Sequence, residues 1–416
     1  MKWGNKILIT LSNAVIIYFL IGGLIFRAAQ GGLNGNGSVI VAPLRFMWEN
    51  IGPVAKNIRD YGIQNALLPI GLVQAKSHLN SKYWINNLNK DLFVLHVESG
   101  SDNLHLVELR SGNFLRTIKL PNVRTNSSQR WIVFLDSKKK FIHAFSDGLP
   151  NTLFKLDFSG RVLRKTEFDF SLHHRLNVFE GHVFINIRRT VNNLHQNFND
   201  EGYVELDGNY NIVNKFWLGD HISEFSILGS NHSFNVWPED PFHLNDVEVV
   251  PSLFGKKNIG NRKLNAKDVL LSSRHLNAIV VVRDGKIWTV ERGTFNLQHD
   301  VDVVNDSIIS IFNNNSSCYH VGLCDLNGIQ SNVIHYNIRT GKENIKYHDV
   351  GFSTLSEGQI QYLKSGRVVI ENQNTNEFFI LFKDKVVFRG GIISKKHEGF
   401  LDLLTWEQAF DENPLK

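Results

Sequence analysis

From about residue 80 to near the C-terminus, apolar and polar residues alternate in short runs, and each run is cut by a tight-turn signal. Period-two alternation bounded by Gly, Asp and Asn is the pattern of half-buried strands. Six segments share one layout, a strand, a two- or three-residue Gly or Asp turn, and a second strand. They read "LVELRSGNFLRTI", "LFKLDFSGRVLRKT", "YVELDGNYNIVNKF", "AIVVVRDGKIWTV", "VIHYNIRTGKENI" and "FFILFKDKVVFRG", with turns at Gly112, Gly160, Gly208, Gly285, Gly341 and Asp384. Most intervals suit a module of roughly 40–50 residues with several strands, the spacing of propeller blades. The interval before Gly285 is longer and holds an insertion around "NVWPEDPFHLND". A β-sandwich would explain the strands but not the period. The pattern therefore predicts an all-β, six-bladed β-propeller over residues 80–416.

Before residue 80 the texture changes. Ile7 to Phe26, "ILITLSNAVIIYFLIGGLIF", is an uncharged stretch of the length needed to cross a bilayer as a helix. A cleaved signal peptide would carry a shorter apolar region. Residues 1–30 are thus expected to form an N-terminal transmembrane anchor. Lys2 and Lys6 precede the stretch and only Arg27 follows closely. The positive-inside bias then places the propeller outside the cytoplasm, on the periplasmic or extracellular side. Residues 31–79 read as the flexible linker "GGLNGNGS" followed by a helical segment around "FMWENIGPVAKNIRDYGIQNALL".

Composition changes this picture little. The chain has 29 Phe and eight Trp but two Met, which favours strands over helix bundles. A net charge of +5 with no long basic run argues against a nucleic-acid partner. Only two cysteines exist, Cys318 and Cys324 in "CYHVGLC". They are too few for a structural zinc site, and outside the cytoplasm they suit a disulfide closing a small loop.

Candidate chemistry gathers where three inner strands begin, at "HHRLNVFEGHVFI", "FHLNDVEVV" and "LQHDVDVVNDSIISIF". His174, His243 and His299 each have a Val four residues later, Val178, Val247 and Val303, so each pair shares a strand face under regular alternation. Equivalent positions in three blades would converge on one end of the central channel. "DVLLSSRHLNAIVVV" adds Arg274 beside His275 where the second strand turns back, and Asn245 lies two residues after His243. Imidazoles, a guanidinium and an amide suit an oxyanion with several oxygens, because Arg binds two at once. Three histidines could also hold zinc or copper. Against a metal, Arg274 is a nearby cation and no acidic residue shares the histidine phase. Asp246 and Asp300 are expected to serve the sheet or the surface, and Arg188–Arg189 a solvated face.

"FHLNDVEVV", "LLSSRHLNAIVVV" and "FNLQHDVDVVNDSIISIFNNN" resemble successive motifs of the bacterial arylsulfate sulfotransferases. These are six-bladed propellers that use no nucleotide sulfate donor. The family pattern is a His-x-Asn strand, a Ser-Ser-Arg-His strand, and a Gln-His motif followed by a Phe-Asp-Asn-Gly-like turn. Here "FNNN" at 312–315 stands in the last position, and the family's last-blade threonine would fall in "STLSEGQIQYL" near Ser356, Glu357 or Gly358. The resemblance implies that His299 is transiently sulfated and that His243, Asn245 and Arg274 bind the sulfuryl group. It also makes His174 the first active-site histidine and puts Gln298 beside the substrate. The implied partners are an aryl sulfate and a phenol, with no cofactor and no metal. The alternatives are a metal-dependent hydrolase or lyase, and a non-catalytic propeller that binds sulfated ligands or proteins.

Overall fold

A computed structural model describes residues 85–86, 93–97, 102–109, 113–122, 131–136, 141–146, 151–192, 197–223, 237–252, 264–315, 331–347, 352, 354, 357–363, 365–372, 377–391 and 403–406. The predicted anchor and helical segment lie outside these residues, as do Cys318, Cys324 and Ser356. Among the described residues no helix is long and apolar enough to cross a membrane. The one helical turn that bears on the site is the 3-10 turn Leu218–His221.

Six antiparallel sheets follow one another along the chain. β1 (Ile85–Asn86) adds to the outer edge of the last sheet. The first blade contains β2 (Phe93–Val97), β3 (Asn103–Glu108) and β4 (Asn113–Lys119). The second contains β5 (Trp131–Asp136), β6 (Phe141–Ser146), β7 (Thr152–Leu156) and β8 (Val162–Glu167). The third contains β9 (Ser171–Phe179), β10 (His182–Asn192), β11 (Asn197–Leu206) and β12 (Ile212–Trp217). The fourth contains β13 (Leu244–Val249), β14 (Val269–Ser273), β15 (Ala278–Arg283) and β16 (Lys286–Glu291). The fifth contains β17 (Val301–Val303), β18 (Ile308–Asn313), β19 (Asn332–Asn337) and β20 (Lys342–Lys346). The sixth contains β21 (Gln359–Tyr362), β22 (Arg367–Asn372), β23 (Glu377–Phe382) and β24 (Lys385–Gly391). Finally β25 (Leu403–Trp406) returns to pair with β2 as the inner strand of the first blade, which closes the ring. The closing "LLTW", readable as strand or helix, is a strand.

Each of the six predicted hairpins forms the third and fourth strands of one blade counted from the channel, with β1 added outside the pair in the sixth. The reason is visible in β15, "AIVVVR". Ala278, Val280 and Val282 pack into the apolar cluster shared with the third blade. Ile279 and Val281 pack into the cluster shared with the fifth. A strand in the middle of a blade is buried on both faces, so it reads as a continuous apolar run. Every gap between neighbouring blades has such a cluster. Removing that apolar surface from water is what holds the blades together.

Candidate active site

The predicted histidines lie where the inner strands β9, β13 and β17 start, but the regular alternation behind their shared phase does not hold. Pairing of β13 with β14 shifts register between Leu244 and Asp246, and pairing of β10 with β9 shifts between Ile185 and Ile187. A bulge inserts an extra residue and re-aims the side chains around it. The true register comes from two clamps. Asp246 Oδ2 accepts the N–H of Val301 in the next blade at 3.0 Å, and Asp300 Oδ2 accepts the N–H of Ile360 in the blade after at 2.7 Å. "DVEVV" at 246–250 therefore matches "DVDVV" at 300–304. His299 aligns with Asn245, and the residue aligned with His243 is Leu297. Backbone angles agree, since His243 and Leu297 both take left-handed φ, 46° and 52°. His174 does too, at 56°. A left-handed non-glycine residue is uncommon, and such strain gathers at functional sites.

His174, His243 and His275 form one contiguous group. The rings of His174 and His243 lie 5.1 Å apart, edge to face, and those of His243 and His275 lie 4.5 Å apart. His173 Nδ1 shares a hydrogen bond of 2.7 Å with His174 Nδ1. Arg274, 2% exposed, lies in the turn after β14, and its Nη1 donates to His275 Nε2 at 3.4 Å. His299 is joined to this group through Asn245, whose Nδ2 donates to the carbonyl of Gln298 at 3.1 Å. Gln298 is fully buried, and its Nε2 donates to the carbonyls of Ser273 and Ala278 at 2.9 and 3.0 Å. Its amide nitrogen thus ties the fifth blade to the fourth.

On the far side of His299, its Nδ1 lies 2.7 Å from Asn314 Oδ1. Asn314 Nδ2 donates to the carbonyls of Thr354 and Glu357 at 3.1 and 3.0 Å. Carbonyls only accept, so Nδ2 must face them and Oδ1 must face His299. In neutral His299 the proton is then on Nδ1, and Nε2 carries the lone pair. "FNNN" supplies this contact with its third residue. Thr354 lies beside it, and its hydroxyl donates to the Glu357 carbonyl.

Carboxylates, absent from the sequence-based picture of the site, are present in it. Asp240, from the insertion before β13, accepts His243 Nδ1–H on Oδ2 at 2.5 Å. Its backbone carbonyl accepts His275 Nδ1–H at 2.6 Å. Glu201 in β11 accepts Arg188 Nε and Nη2 at 2.8 and 2.5 Å, and also the Leu244 N–H. Arg188 is therefore an inward-facing partner of a buried carboxylate, not part of a solvated face. Arg189 bridges Asp200 and Asp220, both at 2.7 Å, and lies over the Trp217 ring. Arg188 and Arg189 lie opposite Glu201 and Asp200 across the β10–β11 pair, and Asp240 is three residues before His243, a register and an insertion path that alternation alone does not signal. Asp246 and Asp300 are buried inter-blade clamps, and Arg175 of the third blade faces both, at 3.8 and 3.7 Å.

Burial dominates the electrostatics. It holds His173 well below the usual histidine range, with the charges of Arg188 and His243 adding to the effect. It also lowers His275 far below that range, helped by His243 and Arg274. Burial lowers His243, but the hydrogen bond and charge of Asp240 pull it back up. Burial pushes Glu201 up to about 7 against the opposing charge of Arg188. For Asp240, burial is outweighed by His243 and Arg188, and its carboxyl lies well below the carboxylate range.

Asp240, His243 and His275 offer one ligand atom each within 4.8 Å of one another. They do not fit a metal as arranged. A metal needs imidazole lone pairs, yet both Nδ1 atoms donate to Asp240 oxygens and His275 Nε2 accepts from Arg274. The guanidinium of Arg274 beside the His174, His243 and His275 imidazoles, with the Asn245 amide next to them, instead suits an anion.

Residues 184–381 match the model of the family described as "Arylsulfotransferase (ASST)". No curated protein matches the chain. Among solved structures, a protein of unknown function from Bacteroides caccae is similar at 8% identity and a TM-score of 0.48, covering 77% of this chain and 100% of that one. The WD40 β-propeller domain of Doa1 is similar at 10% identity and a TM-score of 0.44, covering 78% and 92%. Virginiamycin B lyase from Staphylococcus aureus is similar at 9% identity and a TM-score of 0.41, covering 75% and 89%. The match over residues 184–381, which contains the fourth and fifth blades with His243, Arg274 and His299, supports the arylsulfotransferase family for this chain.

Proposed function

We propose that the protein moves a sulfuryl group from an aryl sulfate to a phenolic acceptor in two half-reactions, through a sulfohistidine at His299 and without a nucleotide donor. The observation that carries this reading is the Asn314 contact, which leaves the His299 lone pair on Nε2. A neutral imidazole nitrogen with a defined lone pair is a competent nucleophile toward sulfur. In the first half-reaction the Nε2–S bond forms as the S–O(aryl) bond breaks, and a phenol departs. In the second, the acceptor oxygen attacks the same sulfur and the bonding pair returns to Nε2. Arg274 and Asn245 bind the sulfuryl oxygens, on which negative charge persists as the bonds loosen. Asn245 suits this role because its Nδ2 is anchored at the Gln298 carbonyl and therefore holds position beside His299.

Incubation with 4-nitrophenyl sulfate followed by mass spectrometry tests the proposal. One added SO3 is expected on the peptide containing His299, and His299→Asn is expected to abolish both the adduct and transfer to phenol. Full transfer activity in His299→Asn would remove His299 as the nucleophile. Chelating agents are expected to leave transfer unchanged, whereas their abolishing it would favour a metal-dependent hydrolase or lyase.

A further inference from the structure

We infer that Asp240 is a positioning residue that makes His243 the proton donor to the departing phenolic oxygen. The inference rests on the sulfuryl-transfer reading above and adds a residue and a proton path to it. Asp240 belongs to none of the blade strands. It comes from the insertion between the third and fourth blades and anchors two imidazoles at once, His243 through Oδ2 at 2.5 Å and His275 through its backbone carbonyl at 2.6 Å. Trp237, three residues earlier, stacks on His275 at 4.3 Å with the planes 8° apart, so the second ring is clamped between the insertion and His243. His243 is thereby held by its Nδ1 edge, and Nε2 is the nitrogen turned away from Asp240.

A carboxylate on Nδ1–H fixes the imidazole tautomer and stabilises the imidazolium. Several groups face His243. Burial opposes its charged form most and Arg274 and Arg188 add to that, Asp240 favours the charged form and offsets part of it, and His174 and His275 pack against its ring. His275 donates Nδ1–H to a carbonyl and accepts on Nε2 from Arg274, so it is neutral and takes no proton from His243. Asp240 is thus the carboxylate hydrogen-bonded to this imidazole, and it raises the proton affinity of Nε2 against the burial that lowers it.

The proton balance is simple. As the S–O(aryl) bond breaks, its electron pair goes to the phenolic oxygen, which takes the proton from His243 Nε2. His243 is left neutral with Nδ1–H still on Asp240. In the second half-reaction the acceptor phenol returns a proton to Nε2 as its oxygen bonds to sulfur. Asp240 stays ionised throughout.

Need for a proton depends on the leaving group. 4-Nitrophenolate is stable enough to leave as an anion, whereas 4-methylphenolate is not. Asp240→Asn is therefore expected to lower turnover of 4-nitrophenyl sulfate less than about threefold and that of 4-methylphenyl sulfate by about 100-fold, the size of a general-acid contribution. Asp240→Glu, which keeps the charge, is expected to recover much of the second rate. Thermal melts of both variants show whether the insertion still docks. If Asp240→Asn folds and loses both esters equally, Asp240 is structural and the inference fails alone. If the wild-type protein forms no sulfo-adduct at His299, the sulfuryl-transfer reading fails and takes this inference with it.

Discussion

At the residue scale, His299 is defined less by its position in the chain than by what Asn314 does to it. A histidine at the mouth of a strand has two tautomers, and solvent alone would leave both populated. Asn314 is buried with its amide N–H groups on two carbonyls, so it can present only an acceptor to Nδ1. Asn314→Ala removes that constraint and leaves the carbonyls of Thr354 and Glu357 without these donors. Activity with aryl sulfates is expected to fall by roughly 10²-fold, within the range of a misplaced acid–base or nucleophilic group. Steady-state kinetics on 4-nitrophenyl sulfate would measure it. Unchanged turnover would mean that Nε2 is selected by something other than Asn314.

Individual strands show how tightly the site depends on backbone spacing. Gly202 lies in β11, next to Glu201, and pairs with Trp217 of β12. A Cβ there would lie 1.8 Å from the Phe216 carbonyl oxygen and 2.8 Å from its carbon. Backbone atoms cannot swing aside as a flexible side chain can. Gly202→Ala is therefore expected to force the outer pair apart at a cost of about 1–3 kcal/mol, the range for overpacking. Because Glu201 holds Arg188 and the Leu244 N–H, the same change would disturb the start of β13. Denaturant melts would report the loss of stability, and a variant as stable as the wild type would show that β11 and β12 can separate at no cost. The clamps by Asp246 and Asp300 belong to this scale too. Each ties the start of one inner strand to the next blade, which keeps Asn245 and His299 in fixed relation.

Across the whole ring, the inner strands of the fourth and fifth blades bring together Asp246, Glu248, Asp300 and Asp302, with Arg175 reaching in from the third. Burial and repulsion from neighbouring carboxylates push Asp300 up to about 8 and raise Glu248 and Asp302, while burial alone raises Asp246. In an unfolded chain an aspartate titrates near about 4. Between those values the folded protein holds more protons than the unfolded one, so stability falls as pH rises through this window. The melting temperature is expected to be higher near pH 5 than near pH 8.5. Glu248→Gln combined with Asp302→Asn should flatten that dependence, since both replaced groups are neutral at every pH. An unaltered slope in the double variant would place the pH sensitivity elsewhere.

Hydrophobic alternation and turn residues were enough to read the ring. The six hairpins are local, each carries its turn signal in sequence, and every blade must bury both faces in the same way. Arg274 and His243 were also legible, because both lie in short motifs of the fourth blade. The third blade's Arg188 and Glu201, and Asp240 from the insertion, were not. Arg188 and Glu201 face each other across the β10–β11 pair and Asp240 lies three residues before His243, but alternation and turn signals record neither the register of that pair nor the path of the insertion. The phase of the histidines failed for a related reason. A bulge costs one residue of register, and only the cross-strand hydrogen bonds and the left-handed φ angles at His243 and Leu297 reveal where it falls. Sequence alone thus determined the repeat, the strands and the residue types at the mouth of the channel, because these follow from local periodicity. Tertiary structure decided which nitrogen of His299 carries the lone pair and which carboxylate holds His243, because the first depends on Asn314 being fixed by the distant carbonyls of Thr354 and Glu357 and the second on how the insertion folds back onto the start of β13.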